Sequence, residues 1–199
     1  LIKQVEERGE LCMKILDMKN KEENTFKTLD LSIQKAIELD TDIVLATTSG
    51  KTVQKILEIK KQHPLFKNKI IVVTHAYGSR HKGENLLDET LKDQLRKQGI
   101  IFVTAAHVLS GAERGISIKH QGVSPVEIMA DTLRMFSQGV KVCVEIAVMA
   151  LDAGTISYGK PIISIGGNGG GANTSCLLTP DYAADILNTK IHEIYCKPY

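Results

Sequence analysis

The sequence predicts an open, doubly wound α/β domain: a mostly parallel sheet with helices on both faces and antiparallel edge strands. Three observations carry this. Short runs apolar at nearly every position, Ile43–Ala46, Ile70–Thr74, Ile100–Thr104 and Ile162–Ile165, recur along the chain, as parallel strands buried on both faces require. Segments with apolar residues at helical spacing lie between them. Each run empties into a polar or glycine-bearing stretch, as a strand does on leaving a sheet.

Residues 1–23, LIKQVEERGELCMKILDMKNKEE, carry Ile2, Val5, Leu11, Ile15 and Leu16 among charges, broken by Gly9. They read as an N-terminal helical arm outside the main pattern, with too little sequence around it to bury its own face. The domain proper is residues 24–199. Asn24-Thr25 can cap a helix through Leu29, Ile33, Ala36 and Ile37 that ends near Asp40. Strand Ile43–Ala46 leads through a TTSGKT turn to a helix bearing Val53, Ile56, Leu57 and Ile59, stopped before Pro64. Strand Ile70–Thr74 opens into HAYGSRHKGEN, and a helix from about Leu86 to Lys97 closes at Gly99, suited to a left-handed C-cap. After Ile100–Thr104 comes a long segment, AAHVLSGAERGISIKHQGVS, then a helix from about Pro125 to Phe136. The short apolar run Val140–Val144 passes into Glu145 and the helical Ile146–Asp152. Ile162–Ile165 ends in GGNGGG, and Thr174–Leu178 and Ile191–Cys196 are the candidate antiparallel edges.

Composition removes several function classes. The 199 residues carry 25 Lys plus Arg against 23 Asp plus Glu, scattered along the chain, so nucleic-acid binding has no electrostatic footprint. Without Trp, there is no stacking platform for single strands. The four cysteines form no CxxC pair and the six histidines no HExxH; free thiols and no metal are expected. Cys143, inside Val142-Cys143-Val144, reads as a small apolar core residue. No apolar run approaches the ~18 residues of a membrane span and no signal peptide is visible. A cytoplasmic location is expected.

In open α/β sheets the ligand sits beyond the carboxyl ends of the strands. Four polar, glycine-bearing segments follow strands at that end. The first, Ser49-Gly50-Lys51-Thr52, is not a Walker loop, because Leu45 stands where the second glycine belongs. Two readings stay open for it: a cradle for one phosphate at a helix N-terminus, or an ordinary turn with Ser49 or Thr48 as N-cap. As a cradle, Thr47, Thr48, Ser49 and Thr52 supply hydroxyls, Gly50 admits the anion to the backbone, and Lys51 adds charge. His75, at the mouth of a strand, and Gly78 belong to the second segment; His107 has weaker context. In the third, Ser110 and Arg114 stand together, and Arg114 either clamps an anion or pairs with Glu113 or Glu145. Glu145 interrupts an apolar stretch, as the partner in a buried salt bridge or as a general base. Gly166, Gly167, Asn168 and Gly169 open the fourth, a mobile wall of the crevice or a long turn. No catalytic residue is assigned.

The stretches ATTSGKT, VVTHAYG, LSGAERGIS, KVCVEIAVMALDAG and GKPIISIGGNGGGANTSCLLTP together resemble the C-terminal domain of pyruvate kinase, and more closely the stand-alone pyruvate kinase C-terminal-like (alpha/beta domain) proteins. The resemblance runs from about Asn24 to Pro198. It implies that Thr47–Thr52 holds a phosphate and that Gly166–Gly171 closes over the other end of the ligand. The (β/α)₈ barrel that performs pyruvate kinase chemistry needs ~250 residues, so phosphotransfer is not expected. The late loop lacks the basic and aromatic residues of a sugar-bisphosphate loop. Relatives in the stand-alone family resemble flavin mononucleotide binders, which makes FMN the first expected ligand and a flavoprotein of unknown reaction the first expected function. The alternative is a non-catalytic regulatory or sensor module for a phosphorylated metabolite such as a sugar phosphate. Likeness to an oligomeric enzyme implies a homo-oligomer.

Overall fold

The computed structural model of the protein describes residues 13–16 and 20–199. Strands β1 (Lys14–Leu16), β2 (Ile43–Thr47), β3 (Ile70–Thr74), β4 (Ile101–Val103), β5 (Ile162–Gly167), β6 (Ala172–Thr179) and β7 (Lys190–Pro198) form one sheet in the order β1-β7-β6-β5-β2-β3-β4. The β5-β2-β3-β4 half is parallel. Strand β6 runs against both β5 and β7. The antiparallel pairings therefore gather on one side, but the outermost strand there is β1, parallel to β7.

Alternation along the central strands assigns the two layers. Ile43 and Leu45 face one way and pack with Leu29, Ile33, Val53 and Ile56, from α1 (Lys21–Glu38) and α2 (Lys51–Lys60). Val44 faces the other way, with Ile71, Val73, Cys143, Ala147 and Ala150, three of them on α6 (Gln138–Asp152). Each fully buried Leu or Ile contributes roughly 1.5–3 kcal/mol, and both layers are built from such residues. Helices α3 (Glu89–Arg96), α4 (Ala112–His120) and α5 (Pro125–Arg134) and a 3₁₀ turn at Ala183–Asn188 complete the molecule.

Several boundaries differ from the sequence expectation for identifiable reasons. Helix α1 starts at Lys21 because Asn20 is the cap, its side chain accepting the Glu23 N–H at 3.1 Å; Asn24 and Thr25 lie inside the helix and are buried. Helix α3 starts at Glu89, capped by Asp88 onto the Leu91 N–H. The apolar run Val140–Val144 is helical, part of an α6 that begins at Ser137's cap. The run showed no helical period because α6 is buried on nearly every side, which erases the amphipathic signal. Helix α4 occupies part of the segment left without structure; its interior Gly115 and largely exposed surface gave no period to read. Of the expected helical arm, residues 1–12 and 17–19 lie outside the described residues, Lys14–Leu16 forms β1, and Lys21–Glu23 belong to α1.

The first turn of α6 crosses the sheet at close range. A Cβ on Gly139 would overlap Thr174 Oγ1, and one on Gly166 would lie 3.1 Å from Cys143 Sγ. Only glycine fits at this crossing. Gly139→Ala is expected to lower the unfolding free energy by about 1–3 kcal/mol, measured by urea denaturation. Gly115→Ala, where an added Cβ meets nothing within 4 Å, is expected to move it the other way by about 0.5–1 kcal/mol.

Candidate functional site

Beyond β2 the chain turns toward β3, whereas β5 lies on the other side of β2. This is the point where strand order reverses, the place at which open α/β sheets generally bind their ligands. Gly50 is the N-cap of α2, in the left-handed region at φ 88° and ψ −13°, and no side chain caps the helix. The capping role open to Ser49 or Thr48 is therefore excluded. Gly50 N–H reaches Thr47 Oγ1 at 3.2 Å. The first N–H groups of α2 have no intrahelical acceptor. Among the described residues, the Thr48, Ser49 and Thr52 hydroxyls and the exposed Lys51 ammonium have no hydrogen-bond or ion-pair partner. By contrast α1, α3, α5 and α6 are capped by Asn20, Asp88, Ser124 and Ser137 side chains. A Cβ on Gly50 would also approach Leu87 and Leu91 to 2.8 Å, so glycine is needed here for the turn itself.

Across the reversal point, Leu45 pairs with Ile165, which sets Gly166 and Gly167 beside the end of β2. The glycine loop then bends toward α1. A Cβ on Gly170 would lie 2.9 Å from Lys21 Cδ, and one on Gly171 would overlap Thr25 Oγ1. Lys21 and Asn24 line a small recess with Asn168, Gly170 and Asn173. Asn168 and Gly169 are exposed. The sequence reading missed Lys21 and Asn24, since it began α1 too late; Asn20 followed by Glu23 was the signal that could have found them.

A second group of polar side chains stands at the ends of β3 and β4. Thr74 and Thr104 share a 2.7 Å hydrogen bond between hydroxyls. Just beyond them the rings of His75 and His107 stack, centroids 5.4 Å apart and planes 16° from parallel. Beneath them is Glu145, 2% exposed. It takes the Lys141 ammonium at 2.6 Å, the Leu109 N–H at 3.1 Å and the Ser110 hydroxyl at 3.0 Å, and faces His107 Nδ1 at 3.5 Å. Burial pushes the Glu145 pKa up, but the His107 hydrogen bond and the Lys141 charge outweigh it and bring it to about 2. For Lys141 burial prevails over Glu145 and lowers the pKa from its ordinary value; the short contact is that of an ionised pair. Burial also lowers the His75 pKa, helped by His107 and Arg80 and opposed by Glu145.

Of the two roles open to Glu145, the buried salt bridge is the one present, with Lys141 rather than Arg114 as its partner. Arg114 is exposed on α4 and, among the described residues, has no ion pair. Ser110 is tied to Glu145. Gly78 is exposed and closes its own turn, its N–H reaching Glu84 O at 2.9 Å. The structure thus brings Thr47–Thr52 and Gly166–Gly169 together around the reversal point. His75, Ser110 and Glu145 gather beyond the next strands, β3 and β4, with His107 and Lys141. One enclosed side-chain polar atom among the described residues lacks a hydrogen-bond partner: His107 Nε2. Leaving such an atom unmatched costs about 1–3 kcal/mol.

The architecture is that of an open α/β domain whose strand order reverses at β2. The chain matches the pyruvate kinase, alpha/beta domain family over residues 27–178, most of its length, and it belongs to that family. Among solved structures it is similar to Cryptosporidium parvum pyruvate kinase in complex with ADP, at 15% identity over 85% of this chain and 23% of that chain, with a TM-score of 0.37. It therefore spans about a quarter of that enzyme's length. Among the described residues no helix is long and apolar enough to cross a membrane, and no cluster of three or more His, Cys, Asp or Glu is placed to hold a metal. Cys143, Cys176 and Cys196 are buried free thiols; Cys12 lies outside the described residues.

The buried carboxylate should register in the pH dependence of stability. Its pKa is lower folded, about 2, than its ordinary 4.5, so its contribution is complete above pH 4.5 and lost as pH falls toward 2. Urea denaturation across that window should show the loss in the natural protein and a shallower slope in Glu145→Gln. The single variant leaves Lys141 buried without its counter-charge, at a cost of about 3–5 kcal/mol. Adding Lys141→Met should recover much of it.

Proposed function

We propose that the protein binds a phosphate-bearing small molecule, FMN first, with its phosphate on Thr47–Thr52 and its ring system along the glycine loop. The observation that supports this most is the α2 N-terminus, which no side chain caps although three free hydroxyls stand beside it. Its unmatched N–H groups, the helix dipole and Lys51 form a donor set suited to a phosphate. The donors fit one phosphate and not a triphosphate, because the turn between Thr47 and Lys51 is too short to wrap two. The flat ring of a flavin suits a wall in which Gly167, Asn168 and Gly169 present mostly backbone. Bound there, FMN would supply hydride or single-electron transfer, and this chain's residues would hold and orient it.

Titration with FMN, followed by flavin fluorescence, should saturate and be weakened by inorganic phosphate. Lys51→Met should cost about 1–2 kcal/mol of binding, roughly 5–30-fold in affinity. A Gly50 substitution is a poor probe, since it strains the turn before any ligand arrives. Unchanged affinity in Lys51→Met combined with Ser49→Ala would remove the phosphate from this turn. A colourless protein that ignores FMN but binds a sugar phosphate would replace the flavoprotein reading with that of a regulatory module.

A further inference from the structure

We propose that the outer row of α5 is the face on which two copies of this chain dimerise about a two-fold axis, with their α5 helices antiparallel. Among the described residues, six large apolar side chains, Ile116, Ile118, Val123, Ile128, Met135 and Phe136, each more than half exposed, crowd into residues 116–136. The inner side of α5 is already covered: Ala130 is buried, and Val126, Met129 and Leu133 pack on the core layer around α6. Ile128 and Met135, seven residues apart, fall together on the opposite side of the helix. Val123 comes just before the Ser124 cap, the position that a hydrophobic staple joins to the fourth helical residue, here Ile128. Phe136 follows Met135 directly. Helix α4, beside α5, has Ser117 as its buried residue, while Ile116 and Ile118 on either side of it stay outside. Nine residues that bury no apolar side chain do not hold a helix by themselves.

The row is its own complement. Antiparallel alignment about a point between Asp131 and Thr132 sets Ile128 of one copy against Met135 of the other, and brings Val123 within about one turn of Phe136. Thr132 is the polar side chain in the middle of the row. Its hydroxyl already donates to Ile128 O at 2.9 Å, so covering it leaves no donor unmet. Beside the row, Arg134 is matched within its own copy to Asp131 at 2.5 Å and to Gln138 at 2.8 Å, so no bare carboxylate faces its twin across the axis. Over residues 112–136, Arg114, Lys119 and Arg134 balance Glu113, Glu127 and Asp131. A second copy therefore meets no surplus of its own sign, whereas a strongly acidic or basic partner finds no surplus to answer it. An apolar centre with balanced charge around it is what a two-fold contact requires, because residues near the axis meet themselves.

The test is sedimentation equilibrium of the full chain at micromolar concentration, where the natural protein should be a dimer. Ile128→Glu combined with Met135→Glu changes two exposed positions, so the circular dichroism spectrum should be kept while the dissociation constant rises at least ~100-fold. The urea midpoint, dependent on protein concentration in the natural dimer, should lose that dependence in the double variant. Orientation is read by cross-linking in a Cys12→Ser background. Thr132→Cys, near the axis, should link to its own copy on oxidation. Val123→Cys, whose two copies stand about 25 Å apart in the antiparallel pair, should not. A monomeric natural protein overturns the proposal and leaves the face to a different chain. A dimer whose dissociation constant is unchanged in the double variant overturns it too, as does Val123→Cys linking as readily as Thr132→Cys.

Discussion

A carboxylate sealed inside a helix that is buried on nearly every side sets the terms for one whole end of the molecule. Glu145 is tolerable at its depth because Lys141, one turn earlier on α6, neutralises it. Its remaining acceptor capacity goes to the backbone and hydroxyl of the stretch after β4. One buried charge thus fixes a connection that has no regular structure of its own. It also dictates where His107 stands. The pair does more for geometry than for net stability, since buried ion pairs roughly balance their own desolvation.

The rim divides electrostatically. Around the reversal point the groups on offer are donors: the start of α2, the hydroxyls beside it, Lys51 and, on the far side of the glycine loop, Lys21. At the ends of β3 and β4 the buried charges of Lys141 and Glu145 match each other, and two stacked imidazoles lie over them. Both regions hang on neighbouring parallel strands whose registers are continuous, Thr47 beside Thr74 and Val73 beside Val103, so their spacing is set by the sheet.

The sheet's central strands and α2 were legible because each signal was local: continuous apolar runs, a helical stripe, a glycine before it. The site was half legible on the same grounds. The TTSGKT turn announces itself by residue type, and Glu145 by being a charge in the wrong company. Lys141 did not, because a lysine in an apolar run reads as solvent-facing until its helix is known to be buried all round. His107 was undervalued since its partners, Glu145 and His75, are distant in sequence and meet only through packing. Strand β1 was read as helix, having three residues and a pattern that fits either period; only its neighbour β7 decides the matter.

That neighbour has a consequence for how the molecule is completed. Lys14 pairs with Cys196, and Leu16 with Pro198. Among the described strands β1 comes earliest in the chain, yet its hydrogen-bonding edge does not exist until β7 has been made and has docked on β6. Among the described strands, the earliest in sequence is thus enrolled in the sheet only after the latest.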